Sequence, residues 1–249
     1  MAERPELSMD EYRRRSRRSF LTGGAALAAG FAGWRGVQRS AADRRIPGIL
    51  RDVHGVNESI WSSLFREDHL AKEFAYEDAS ILQVNGVIGI RDEIDVDEWR
   101  VVVMGPDREI WGFHDLADIQ ALPRHEMTIE HKCIEGWAQV TNWGGARFSD
   151  FLELYADRLT DDISDVYLET PDRDYFVTMD MATMRHPQTL LAYDMLGEPL
   201  DNDHGAPLRL ATPLKYGIKQ IKRIGLIQFN TDKARDYWGD RGYDDYVGL

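Results

Sequence analysis

Apolar positions in this 249-residue chain change period along its length, and the changes mark the elements. Over 57–79, Ile60, Trp61, Leu64, Phe65 and Leu70 recur at helical spacing, with Asn57 placed to cap the first turn, which predicts a helix there. Residues 99–104 form a short β-branched run closed by Gly105-Pro106, the pattern of a buried strand. Residues 115–122 read as a helix, while 127–133 and 166–169 alternate as strands do. Between them Ser149 stands where it can cap a helix whose apolar face is Phe151, Leu152, Leu154, Tyr155 and Leu159. A strand over 175–181, a helix over 187–195, and strands over 208–212 and 221–229 complete the set. Strands and helices mingle without the regular alternation of a wound parallel sheet, so the expected fold is one α+β domain with mixed sheets.

Composition narrows the function. With 43% hydrophobic and 29% charged residues the chain can build a substantial core without staples. Its formal net charge of -13 argues against nucleic acid as a partner, which needs a basic surface. A single cysteine, Cys133, excludes an internal disulfide, and no second soft ligand stands near it in a zinc or iron–sulfur spacing.

Near the N-terminus, Ser16-Arg17-Arg18-Ser19-Phe20-Leu21 precedes an uncharged Gly- and Ala-rich stretch, 23–34, that Arg35 ends. The order resembles a twin-arginine export signal. The stretch is shorter than the ~20 apolar residues of a spanning helix. Cleavage near Ser40-Ala41-Ala42 would release the mature protein to the periplasm; an uncleaved signal would leave it anchored. This route carries folded proteins, which accords with a cofactor inserted before export. Residues 35–47 read as a polar linker.

Two segments carry the candidate chemistry. Cys133 ends a strand-like run beside His131, Lys132 and Glu135, with Gly136, Gly144 and Gly145 following. A neighbouring cation favours the thiolate, which binds soft metals, and glycines would let a bulky ligand approach the backbone. If Cys133 binds metal, its other ligands come from a cofactor; the alternative is an inert buried thiol. The second segment is a basic island in an acidic chain, Arg209, Lys215, Lys219, Lys222 and Arg223, which suits either a bound phosphate or a strand with a solvated basic face. His114, His125 and His186 stand apart from both segments.

Those segments carry a resemblance. Cys133-Ile134-Glu135-Gly136-Trp137, Asn142-Trp143-Gly144-Gly145, Leu190-Leu191-Ala192-Tyr193, His204-Gly205-Ala206-Pro207-Leu208-Arg209-Leu210 and Lys215-Tyr216-Gly217-Ile218-Lys219-Gln220-Ile221-Lys222 occur in the order and spacing of the sulfite-oxidase superfamily's molybdopterin-binding domain. The chain is nearest that superfamily's exported single-domain type, the catalytic subunits of protein-methionine-sulfoxide reductases. The resemblance implies molybdenum–molybdopterin as cofactor, Cys133 as thiolate ligand to the metal, and cofactor contacts at Asn85, Thr170, His204, Arg209, Gln220, Ile221 and Lys222. His204 falls where the sulfoxide reductases carry Asn. Gln83-Val84-Asn85-Gly86 replaces the Arg-Asn-His strip of sulfite oxidases, and little chain follows Phe229 to form their dimerisation domain.

The resemblance therefore implies a molybdopterin-dependent oxidoreductase performing two-electron oxygen-atom transfer on a small-molecule or methionine-sulfoxide-type substrate, with electron transfer to or from a partner. Reduction of a sulfoxide leads; sulfite-dehydrogenase-type oxidation and a cofactor-free exported binding protein are the alternatives. A haem-containing membrane or soluble electron-transfer protein and the twin-arginine translocase are the implied partners. The expected organisation is a signal or anchor over 1–42, a helical lead-in over 43–80, the molybdopterin-binding domain over 81–230 and a tail packed on it over 231–249.

Overall fold

The computed structural model describes residues 8–249. The chain divides into two compact units, one through Val53 and one from His54 to Leu249. In the first, helix α1 (Met9–Arg39) contains the arginine pair and buries none of its residues; Ser8 caps it by accepting from the Glu11 N–H at 3.2 Å. Among the described residues no helix is long and apolar enough to cross a membrane. The expected linker is more structured than its composition indicates. Strands β1 (Ala42–Asp43) and β2 (Ile46–Pro47) pair through a two-residue turn in which Arg44 and Arg45 both take positive φ, the conformation a tight hairpin demands.

The helix expected over 57–79 is displaced. Helix α2 runs Gly48–Leu64, so Asn57 lies inside it and caps nothing. Beyond it the chain is extended, with one 3-10 turn at Tyr76–Asp78, and is bound by side chains. Gln188 accepts from the Ala71 N–H at 2.8 Å and donates to the Ala71 carbonyl at 3.0 Å. Gln139 accepts from the Gln83 N–H at 2.8 Å and donates to Ser80 Oγ and the Ile81 carbonyl. Amide side chains far away in sequence thus satisfy this extended backbone, at Ala71 within the expected helix and at 80–83 beyond it.

The main unit holds two five-stranded sheets. The first comprises β5 (Arg124–Lys132), β6 (Ala138–Arg147), β9 (Leu190–Met195), β10 (Glu198–Pro199) and β11 (Arg209–Ala211), all antiparallel, with β9 pairing β6, β10 and β11. The second runs β4-β3-β12-β7-β8, from β3 (Val101–Met104), β4 (Ile110–His114), β7 (Asp165–Glu169), β8 (Phe176–Asp180) and β12 (Leu226–Asn230). Its β3–β12 pair is parallel, so the sheet is mixed, as expected.

The helix expected over 187–195 is instead strand β9. Its six residues are all buried because alternate positions feed two cores: Leu191 and Tyr193 join the larger cluster with Phe148, Phe151, Leu168 and Ile227, while Leu190 and Ala192 join the smaller one with Ile129 and Trp143. A strand covered on both faces shows no period of two, so it reads like a buried helix. Three short helices, α3 (Leu116–Gln120), α4 (Phe148–Leu152) and α5 (Met181–Arg185), pack at the strand ends. Ser149 lies within α4; Arg147 precedes it without a side-chain cap, and Asp115 and Asp180 cap the other two.

Candidate active site

Cys133 follows the last residue of β5 and opens the hairpin into β6. The Cys133 N–H donates to the Trp137 carbonyl at 2.9 Å, the Gly136 N–H donates to the Cys133 carbonyl at 3.0 Å, and Gly136 sits at φ 95. This is a three-residue hairpin loop that needs a left-handed residue at its end, which explains Cys-Ile-Glu-Gly-Trp as turn chemistry. The two later glycines open no approach to a ligand. A Cβ on Gly144 would meet the Asp194 carboxylate, and one on Gly145 would meet the Leu191 carbonyl oxygen at 2.2 Å, so both serve the close packing of β6 on β9.

The hairpin presents Cys133, 6% exposed, to a cavity of about 370 Å³. Asn85, His131, Glu135, His204, Arg209, Gln220 and Lys222 share its lining. Of the eight residues implied by the resemblance, six therefore meet there. Thr170 and Ile221 do not line it. Thr170 is buried behind the 82–90 loop, where a Cβ on Gly89 would strike its side chain at 2.5 Å, and its hydroxyl donates to Asp172. Ile221 belongs to the larger core.

Sequence neighbours do not supply the thiol's surroundings. Alternation along β5 turns Lys132 away from the cavity, where it pairs with Glu130 at 3.5 Å. His131 shares the thiol's face but is neutral: burial, then the nearby charge of Arg209, lower its pKa to about 4. Gln220 donates through Nε2 to the Lys215 carbonyl, so its Oε1 accepts the proton on His131 Nδ1 at 3.2 Å. The polar group on the thiol is instead Asn85, whose Nδ2 lies 3.4 Å from Cys133 Sγ and 3.3 Å from Glu135 Oε2.

The basic island divides by task. Lys215 pairs with Asp180 at 2.8 Å, Lys219 pairs with Asp236 at 2.5 Å, and Arg223 donates to the Ala206 and Asp92 carbonyls and to Asn202. These three brace the fold. Arg209 and Lys222 reach the cavity. Arg209, 2% exposed, donates to the His204 and Gln220 carbonyls and stacks on Trp143, and no carboxylate among the described residues stands against it. Burial holds its guanidinium below the ordinary arginine range. Lys222 Nζ donates to the Asn85 and Gly86 carbonyls at 2.9 Å; burial, then Arg209, lower its pKa to about 8. His204 donates to the Leu82 carbonyl at 2.8 Å and contacts Asp201 through Nδ1 at 2.7 Å. Two desolvated cations without a buried anion make a receptor for a negatively charged group.

Tyr175, Trp238 and Tyr243 also line the cavity. They sit in a strand margin and the tail, regions whose sequence signals only packing. The histidines apart from the site have local partners: His114 meets Tyr155 at 2.6 Å, His125 meets Asp150 at 3.1 Å, and His186 accepts from the Gln188 N–H.

Comparison with known proteins bears on this arrangement. The family model described as the oxidoreductase molybdopterin binding domain matches residues 88–238. A putative protein-methionine-sulfoxide reductase subunit YedZ1 of Azospira oryzae is 30% identical over 238 residues, covering 93% of this chain and 85% of that protein. The protein-methionine-sulfoxide reductase catalytic subunit MsrP of Campylobacter jejuni is 27% identical, covering 64% of this chain and 58% of its own length. Mitochondrial sulfite oxidase of Rattus norvegicus is 28% identical, covering 60% of this chain and 32% of its own. Among solved structures, the sulfane dehydrogenase SoxCD from Paracoccus pantotrophus matches with a TM-score of 0.51 at 18% identity, over 57% of this chain and 41% of that one, a likeness of fold.

Proposed function

The chain belongs to the oxidoreductase molybdopterin-binding domain family, within the sulfite-oxidase superfamily, and from that premise we propose that it is an exported sulfoxide reductase. The lining fits the cofactor on its own chemistry. One buried thiol offers a soft ligand, and Arg209, buried without a carboxylate, with Lys222 beside it, offers the counter-charge for an anionic pterin phosphate. In this reading Cys133 would hold the metal. Arg209, Gln220, Lys222, His204 and Asn85 would hold the pterin and its tail, while Thr170 and Ile221 support that wall from behind. When bound, the cofactor supplies two-electron oxygen-atom transfer.

The observation that carries the choice of substrate is Glu135. Its carboxylate shares Asn85 Nδ2 with the thiol, so the cavity beside the ligand position bears a negative charge. Both cations of the lining are committed to the cofactor's anion. An anionic substrate such as sulfite meets repulsion there, whereas a neutral sulfoxide does not. In the net reaction a sulfoxide takes up two electrons and two protons, its sulfur–oxygen bond breaks, and a thioether and water leave. Neither organic species gains a charge. Two relatives named as methionine-sulfoxide reductase subunits support the same direction.

Export by the twin-arginine translocase to the periplasm is supported by the arginine pair and the uncharged segment after it in α1. The electrons then come from a haem-containing membrane or soluble electron-transfer protein. Anaerobic assays test the reading: reduced viologen should be oxidised by methionine sulfoxide, and ferricyanide should not be reduced with sulfite. The reverse pattern, or protein matured in a molybdenum-competent host without near-stoichiometric molybdenum, would overturn it.

A further inference from the structure

The tail reaches the cavity through a built support. Asp236 is 2% exposed and pairs with Lys219, itself 1% exposed, at 2.5 Å. The same carboxylate accepts from the N–H groups of Trp238 at 3.1 Å, Gly239 at 3.0 Å and Thr178 at 3.2 Å. Lys219 also donates to the Thr178 carbonyl at 2.8 Å, and it adjoins Ile218 and Gln220 of the cavity wall. A buried ion pair is weak evidence of stability, and fixing a conformation is one use such pairs have. Here it fixes the turn that carries Trp238. The Trp238 ring is flanked by Tyr237 at 5.3 Å and Tyr243 at 5.2 Å, both edge-on, and Tyr237 packs against Tyr175 at 5.0 Å. Trp238, Tyr243 and Tyr175 face the cavity, with Tyr243 41% exposed on its rim.

We infer that Trp238 is a specificity-determining residue, held over the cavity by the Lys219–Asp236 pair, and that it selects sulfoxides carrying an extended alkyl side chain over compact ones. The methylenes of an extended side chain bury apolar surface on an aromatic ring, and a ring braced on both sides loses little freedom when they do so. A compact sulfoxide fills the reacting position without reaching the wall. The inference rests on the sulfoxide-reductase reading and adds to it the residue that discriminates.

The test uses the loaded full chain with two probes, a short peptide containing methionine sulfoxide and dimethyl sulfoxide. Trp238→Ala should lower kcat/KM for the peptide about tenfold, mainly through KM, and change that for dimethyl sulfoxide less than about twofold. Trp238→Phe should restore most of the difference. Calorimetric binding of the matching methionine sulfone peptide, which is not turned over, should weaken in parallel. Asp236→Asn should shift the same binding constant, and combining it with Trp238→Ala should add nothing to Trp238→Ala alone. An unchanged peptide-to-dimethyl-sulfoxide ratio in Trp238→Ala, or additive binding losses in the double variant, would overturn the role of Trp238 while leaving the reductase intact. Turnover of neither sulfoxide by the wild-type protein would overturn the reductase reading itself.

Discussion

Asn85 donates to the sulfur of Cys133 at 3.4 Å across 48 positions of sequence, and the same amide nitrogen lies 3.3 Å from the Glu135 carboxylate. The loop that brings it there is tied down through its backbone: Lys222 holds the Asn85 and Gly86 carbonyls, and His204 holds that of Leu82. Groups that orient a metal's ligand often matter nearly as much as the ligand. Asn85→Ala should therefore lower turnover about 10- to 100-fold. Molybdenum content measured on the same preparation should stay close to wild type, and full activity would exclude the amide from the ligand's support.

Glu135 is exposed on the hairpin, so its field is partly screened, but it sits beside the proposed reacting position. Glu135→Gln should strengthen inhibition by sulfate or sulfite about two- to fivefold at low ionic strength. The gain should vanish in 1 M salt, where the Debye length is ~3 Å. Inhibition constants that ignore both substitution and salt would show that this carboxylate does not set the preference for substrate charge.

Strands β3, β5, β7, β8, β11 and β12 are legible in the sequence as short apolar or alternating runs, and β7 keeps strict alternation in its burial. Strand β9 is not, because both its faces are covered, and β6 escapes notice because six consecutive positions, Asn142 among them, are buried around two glycines. At the site, Cys133 stands out as the single cysteine, and Arg209 and Lys222 as members of a basic island in an acidic chain. The thiol's actual partner, Asn85, is an ordinary amide in an extended loop, visible only through the family pattern. Trp238 carries no signal beyond aromaticity, since its placement depends on a long-range ion pair.

Close approach of β6 and β9 gives a stability test. A Cβ on Gly145 would lie 2.2 Å from the Leu191 carbonyl oxygen, a backbone atom fixed in the sheet. Gly145→Ala should destabilise by about 3 kcal/mol or more, seen as a lower urea midpoint at unchanged slope. Gly136→Ala meets no atom within 4 Å and strains only its φ of 95, so it should cost about 1 kcal/mol. Equal losses would mean that the sheets can separate where the structure packs them.

Removing Lys219 leaves the Asp236 carboxylate buried without its cation. Lys219→Met should cost about 3–5 kcal/mol in urea unfolding. Lys219→Met with Asp236→Leu should cost less than the sum of the two single changes, with a coupling of about 0.5–3 kcal/mol. The recovery stays partial because the N–H groups of Trp238, Gly239 and Thr178 lose their acceptor whenever Asp236 is replaced. Strict additivity would show that the two charges do not sense each other.

Lys222 links the anion pocket to pH. Burial and the charge of Arg209 bring its pKa to about 8, below the ordinary lysine value, so its charged form carries a cost in the unliganded fold. Below pH 8 folded and unfolded chains both bind the proton and that cost is fully present. Between about 8 and the ordinary lysine value of ~10.4 the unfolded chain binds more protons, so this group makes stability rise with pH. Anion binding reverses the preference, since a phosphate beside the ammonium favours its charge. A phosphate monoester such as phenyl phosphate, dianionic well above its second pKa of ~6, should bind the cofactor-free protein with constant affinity up to about pH 8. Above that the affinity should fall by up to about tenfold per pH unit as the free protein loses the proton that binding requires. Calorimetry from pH 7 to 10 reads both the fall and the proton uptake, and Lys222→Met should bind more weakly with a flatter profile. A wild-type profile flat to pH 10 would mean that Lys222 stays with the loop carbonyls and leaves the anion to Arg209.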